Sequence, residues 1–226
     1  MKTNVFKTTL VIFCVFALAG CTFIFQKGRR SDIEKIDALN QQVDELSSAK
    51  DLLEQQLAQE IKDKQVKLEM MEKGLVITFL TDILFDAGKA QIKPEMNPAL
   101  DKVSKVLNEN VPGLNVGIEG HTDNQPIRFS GWKSNWELST ARALSVLHYL
   151  VDERGVAPQR VSAIGYGEYR PVVTNTTAEG QKANRRVEVV ILPPAQKVKE
   201  AEAAKEKQEI AQEEEEKVAE PQENLK

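Results

Sequence analysis

Apolar positions along the chain fall into three regimes. Val5 to Phe25 is almost wholly apolar. Residues 31–73 then run without Gly or Pro, and their apolar positions recur at helical spacing: Ile36, Leu39, Val43, Leu46, Leu53 and Leu57 trace a heptad with Lys50 in its seam. After Leu57 the phase steps by four residues to Ile61 and Leu68. That pattern predicts a helical spacer reaching on the order of 60 Å at about 1.5 Å per residue. It fits a coiled-coil homo-oligomer, a solitary solvated helix, or a helix that folds onto the downstream domain.

From Gly74 the period changes. Leu75–Leu80 reads as a strand, and Pro94 opens an amphipathic helix through Leu100, Val103 and Leu107 that closes near Pro112-Gly113. Leu114–Gly120 is a second strand. Ser134–Glu153 is a long helix with Leu138, Ala141, Leu144, Val146, Leu147 and Leu150 on its expected buried face and Gly155 just beyond it. Val161–Ile164 and Val187–Leu192 complete the strands, with a short helix over Ala178–Ala183. A β-α-β-α-β-α-β order predicts an α+β fold, an α/β sandwich with helices on one face of a mixed sheet.

The first regime is an address. Lys2 and Lys7 precede an apolar run that ends in Leu18-Ala19-Gly20-Cys21. A basic start, an apolar core and small residues before a cleavage point make a secretory signal peptide. The last four residues resemble the lipobox of bacterial lipoproteins, in which Cys21 would carry lipid as the first mature residue. The other reading is an uncleaved membrane helix, for which about 20 apolar residues suffice. Thr22, in place of an Asp, implies outer-membrane sorting on the lipoprotein reading.

Composition removes several classes. The net charge is −4, and Ala195 to Lys226 alone holds six Lys and ten Glu with almost no aliphatic residues. Such a tail cannot bury a core and is expected to be helical or disordered in water. No basic patch is interleaved with aromatics, so no nucleic-acid partner is expected. Cys14 and Cys21 are the only cysteines and both precede the folded part, which rules out a disulfide framework there and a cysteine-ligated zinc site. Glu119, His121 and Asp123 alternate along a strand and could imitate a metal site, but His148 is the only other histidine, so no metal or cofactor is expected.

Five motifs occur in order: Ile83-Leu-Phe-Asp-Ala-Gly88, Gly120-His-Thr-Asp-Asn124, Leu138-Ser-Thr-Ala-Arg-Ala143, Gly165-Tyr-Gly-Glu168 and Asn184-Arg-Arg-Val187. Together they resemble the OmpA-like peptidoglycan-binding domain found in peptidoglycan-associated lipoproteins, outer-membrane protein tails and flagellar stator proteins. The resemblance covers 74–193. It implies a ligand, the diaminopimelate of the wall's stem peptide, whose side-chain end bears an ammonium and a carboxylate. Gripping that zwitterion takes one anion and one planar cationic fork. By resemblance these are Asp123 and Arg142, with Asn135 lining the pocket, the Phe85-Asp86-Ala87 turn closing it by its backbone, and Arg185 as a further contributor. Each has a plainer reading: Asp123 as a strand terminator, Arg142 as a solvated helix residue, Arg185 and Arg186 as structural ion pairs.

The segment from Gln125 to Trp136 is longer than in compact lipoproteins and resembles the stator-type loop; Trp132 and Trp136 either flank a glycan or simply pack. The expected organisation is a signal peptide (1–20), a lipidated linker (21–30), the spacer (31–73), the domain (74–193) and the acidic tail (194–226). The expected function is non-catalytic: peptidoglycan gripped at one end and a membrane, through lipid on Cys21, at the other. A stator-like motor component is the alternative. By resemblance it would carry a membrane-embedded Asp, and Val5–Phe25 has no acidic residue. A wall hydrolase would need a paired acid and base, for which only Glu119 and Asp123 stand near each other.

Overall fold

The structure is a computed structural model that describes residues 43–128 and 131–192 and, ahead of them, positions 33, 36, 37, 40 and 41. The signal segment with Cys21 and the acidic tail lie outside the described residues. Two compact units divide at Ser47/Ser48. In the first, the described positions are helical, and Ile33, Ile36 and Val43 are half exposed or more.

The second unit opens with helical residues 48–56 and a short helix, α1 (Ala58–Lys62). Ala49, Leu53 and Leu57 are fully buried within the single chain. Part of the heptad seam therefore packs into the domain itself, so this stretch of the spacer is a helix folded onto its own domain. Lys102 Nζ reaches Glu60 Oε1 at 2.5 Å and fastens α1 beside the Pro94-led helix.

The helical spacer does not run to residue 73. Residues Val66–Met71 form a strand, β1, paired antiparallel with β2 (Gly74–Leu80) through a turn at Glu72-Lys73. Val66, Leu68 and Met70 alternate with Lys67 and Glu69, a period of two that the continuing absence of Gly and Pro disguised as helix. The remaining elements are α2 (Thr81–Leu84), α3 (Asn97–Glu109), β3 (Asn115–His121), α4 (Asn135–His148), β4 (Val161–Gly165), α5 (Ala178–Asn184) and β5 (Arg186–Leu192). The five strands lie in the order β1-β2-β5-β3-β4. All pairs are antiparallel except β3 with β4, so the sheet is mixed.

The helices pack on this sheet. α4 lies so close to β3 and β4 that a Cβ on Gly120 would overlap the Ser139 carbonyl, and one on Gly165 would overlap Thr140. Ser134 caps α4 by accepting from the Glu137 N–H, and a wider turn over Tyr149–Glu153 extends it. Its buried side differs from expectation: Leu144 is 41% exposed, whereas Arg142 and Ala143 are buried. The helix is rotated so that its arginine, not its leucine, faces inward. α3 lies alongside, joined by Tyr149 Oη to Asp101 Oδ1 at 2.6 Å.

Candidate functional site

β3 and β5 are neighbours at the centre of the sheet, with His121 paired to Arg186 at the last rung. Beyond that rung the chain leaves β3 through Thr122-Asp123, and it reaches β5 from Arg185. Sequence-distant residues thereby meet: Arg185 Nη1 donates to Asp123 Oδ2 at 2.7 Å, while its Nε and Nη2 form a fork onto Asp82 at 3.2 and 2.9 Å. Asp123 Oδ1 accepts from the Gln125 backbone N–H at 3.1 Å. Asp123 is 6% exposed, and both its carboxylate oxygens accept from these protein partners. The Arg185 fork keeps the Asp82 carboxyl below its ordinary range against a smaller effect of burial, and Asp82 in turn strengthens the charge on Arg185.

Arg142 enters from α4 and is 4% exposed. Its Nε donates to the Lys89 carbonyl at 2.9 Å and its guanidinium lies 5.4 Å from the Phe85 ring centroid. Among the described residues its two terminal nitrogens donate to no protein acceptor. Burial pulls its pKa down to about 10, against the pull of Asp82 and Asp123, and Arg185 adds like-charge repulsion. It stays cationic at neutral pH. A buried guanidinium without a carboxylate of its own is costly, so this group is poised to accept an anion.

Asn135, at the first turn of α4, ties the rim together. Its Nδ2 donates to Glu168 Oε2 (2.8 Å) and the Gln125 carbonyl (3.1 Å), with the Asp123 carbonyl at 3.4 Å. The Phe85-Asp86-Ala87 turn splits: Phe85 is buried beneath Arg142, whereas Asp86 and Ala87 are exposed. Asp86 pairs with Lys89 (3.0 Å) and Lys93 (3.7 Å), which hold its carboxyl below the usual range. Trp132 Nε1 donates to the Gly88 carbonyl at 2.8 Å, tying Trp132 to this turn.

Asp123, Arg142, Asn135, Phe85 and Arg185 are thus brought together. Sequence reasoning missed Asp82, which orients Arg185. An acid directly after a strand looks like any helix-start acid, and only the fold sets it across from Arg185.

On β3 and β5, Glu119, His121 and Glu188 bring ligand-capable atoms within 4.8 Å of one another. Lys73 Nζ already bridges the two carboxylates at 2.6 and 2.7 Å, and Arg186 Nε holds Glu188 at 2.5 Å. Two cations balance two anions, which leaves little attraction for a metal ion. His121 is 2% exposed and stacks on Tyr166 at 5.3 Å; among the described residues neither ring nitrogen has a hydrogen-bond partner, and burial depresses its pKa. It serves the sheet as a buried, stacked ring. A separate cleft of about 780 Å³ runs along β1 and includes neither Asp123 nor Arg142.

Residues 84–185 match the OmpA family. Motility protein B of Bacillus subtilis (strain 168) is 43% identical over 150 residues, 66% of this chain and 57% of that protein. Outer membrane porin F of Pseudomonas aeruginosa is 37% identical over 116 residues, 51% of this chain and 32% of the porin. The chain therefore spans little more than half the length of the first relative and a third of the other. The solved cell wall anchor of the T6SS from Pseudomonas aeruginosa superposes with a TM-score of 0.56 at 36% identity, covering 62% of this chain and 96% of that one. With the five-stranded mixed sheet and these matches, residues 84–185 are an OmpA family domain.

Proposed function

We propose that this domain grips peptidoglycan without cutting it, taking the zwitterionic end of diaminopimelate between Asp123 and Arg142. The observation that carries the reading is the buried Arg142 guanidinium, charged and without a carboxylate partner among the described residues, within the field of Asp123. The ligand carboxylate completes Arg142 through its free N–H groups, and the ligand ammonium joins Arg185 on the Asp123 carboxylate, which has lone pairs to spare. Asn135 and the Phe85 turn shape the rim. Kinship with a structure described as a cell wall anchor supports a ligand in the wall.

The test is co-sedimentation of the whole chain with purified diaminopimelate-type peptidoglycan, beside wall in which lysine replaces diaminopimelate. Wild type pellets with the first and not with the second, and Asp123→Ala and Arg142→Lys stay in solution while keeping wild-type circular dichroism. Wild type remaining in solution with both walls refutes the clamp.

Where the clamp is mounted has two readings. The lipobox-like Leu18–Cys21 supports a lipoprotein that ties the outer membrane to the wall through acyl chains on Cys21. The 43% identity to Motility protein B and the long Gln125–Trp136 segment favour a stator-like component of an ion-driven motor. Intact mass of the membrane-extracted protein separates them: a diacylglyceryl adduct on Cys21 with loss of residues 1–20 selects the lipoprotein, and an unmodified N-terminus selects the motor component.

A further inference from the structure

We infer that the stacked pair Trp136–Tyr169 is a saccharide subsite that takes the pyranose ring next to the gripped peptide; the inference rests on the peptidoglycan reading above. The two rings lie 5.0 Å apart at an interplanar angle of 20°, yet Trp136 is 47% and Tyr169 is 65% exposed. Single exposed apolar residues are ordinary, but two large rings stacked at a small angle and still about half exposed or more turn their remaining aromatic surface to water as an amphipathic plate. Sugars present just such a partner: one face of a pyranose is a patch of C–H groups, and its rim is hydroxyls and an N-acetyl group.

The plate is built into the clamp. Trp136 adjoins Asn135 and Tyr169 adjoins Glu168, and the Asn135 Nδ2 to Glu168 Oε2 hydrogen bond of 2.8 Å locks the two backbones together. The same Asn135 amide holds the Gln125 carbonyl behind Asp123. Two residues before Tyr169 the chain passes through Gly167, whose φ of +56° favours glycine and where an added Cβ would rest against Trp136. Its N–H donates to Ser139 Oγ at 3.0 Å, and its carbonyl accepts from the Thr122 N–H at 2.9 Å, one residue before Asp123. The bonds that fix the plate also fix the Asp123 loop.

The ligand sets the reach to be covered. Diaminopimelate is the third residue of the stem, so two residues and a lactyl group separate it from the muramyl ring, a reach on the order of 10 Å. A pre-stacked pair is already ordered, so binding there costs little side-chain entropy.

The test titrates the whole chain by calorimetry with three probes: the free stem tripeptide L-Ala-D-Glu-diaminopimelate, the same tripeptide on N-acetylmuramic acid, and peptide-free glycan strands. Wild type is expected to bind the muramyl tripeptide roughly three- to ten-fold more tightly than the free one, the range an aromatic contact supplies. Trp136→Ala and Tyr169→Ala bring the muramyl probe down to the free tripeptide and leave the free tripeptide unchanged. Equal affinity of wild type for the two peptides overturns the subsite, as does an increment that survives both variants or an equal loss of both probes. If neither peptide binds but glycan strands do, in a Tyr169-dependent way, the subsite stands and the Asp123–Arg142 clamp fails; if nothing binds, both fall.

Discussion

Replacing Lys73 with Met tests the charge balance of the sheet. The Lys73 ammonium sits 2.6 Å from Glu119 and 2.7 Å from Glu188, whose side chains are only 13% and 7% exposed. Burial lowers the lysine pKa, but the hydrogen bonds to the two carboxylates outweigh it and leave it raised. Burial also pushes the Glu119 carboxyl up, and His121 and Lys73 more than reverse this, holding it at about 2. Of those two, Lys73 is the hydrogen-bonded partner, since His121 Nε2 stands 3.8 Å away. Without the ammonium, two carboxylates whose oxygens lie within 4.8 Å face each other. At an effective dielectric near 20 their repulsion is about 3 kcal/mol. Arg186 stays on Glu188 and damps part of it, so Lys73→Met is expected to lose about 2 kcal/mol at pH 7.

The pH dependence fixes the cause. Glu119 is depressed in the folded chain, so it contributes stability above its unfolded value of 4.5 and loses it as pH falls toward about 2. In Lys73→Met the depression is weakened, Glu119 protonates at higher pH, and the deficit against wild type shrinks on acidification. Urea unfolding monitored by tryptophan fluorescence at pH 7 and pH 3.5 reads both numbers. Lys67→Met, which removes an exposed pair with Glu69, is the control and should stay within about 0.5 kcal/mol of wild type. A pH 7 loss no larger than that control, or a loss equal at the two pH values, refutes the reasoning.

Close contacts and buried groups elsewhere set further expectations. Gly120→Ala forces α4 off β3 and should cost about 2 kcal/mol or more in urea unfolding, within the range for overpacking. His121 is buried with a depressed pKa, so the unfolded chain takes up a proton that the folded chain refuses; stability should fall as pH drops below 6.5, and this limb should vanish in His121→Phe. Asp82→Asn weakens the Arg185 fork and should reduce binding of the diaminopimelate tripeptide with little change in melting temperature, because the pair is partly exposed. An unchanged affinity would show that Arg185 needs no orienting partner.

Much of the fold was legible because α3, α4 and the four strands from Leu75 onward carry unbroken periodicities and ordinary stop signals. β1 was not legible. An alternation of Val66, Leu68 and Met70 only six residues long cannot be told from the tail of a helix without its hairpin partner. The inward turn of Arg142 was hidden for a different reason. A charged residue beside Leu144 would ordinarily face water, and what draws it inward is the Lys89 carbonyl, the Phe85 ring and the acids across the sheet end, all distant in sequence. The site residues themselves came from resemblance to a family; Asp82 matched no motif and depended on β2 ending opposite β5.

The register has a mechanical consequence. Val66 pairs with Phe79, Phe79 with Val187, and Val187 with Gly120, so the point where the chain joins the sheet and the point where the clamp sits share one end of it. If the proposed clamp holds a wall peptide, tension between it and the preceding helix runs across the strands at that end. It opens the β1–β2 hairpin from its free rung, one pair at a time, the weak direction of an antiparallel ladder. The Glu60–Lys102 tie and the buried Leu53 and Leu57 lie upstream of that rung and act as its brake. Under such load, the domain should yield first by letting out β1, lengthening the connection while β5 and β3 stay paired.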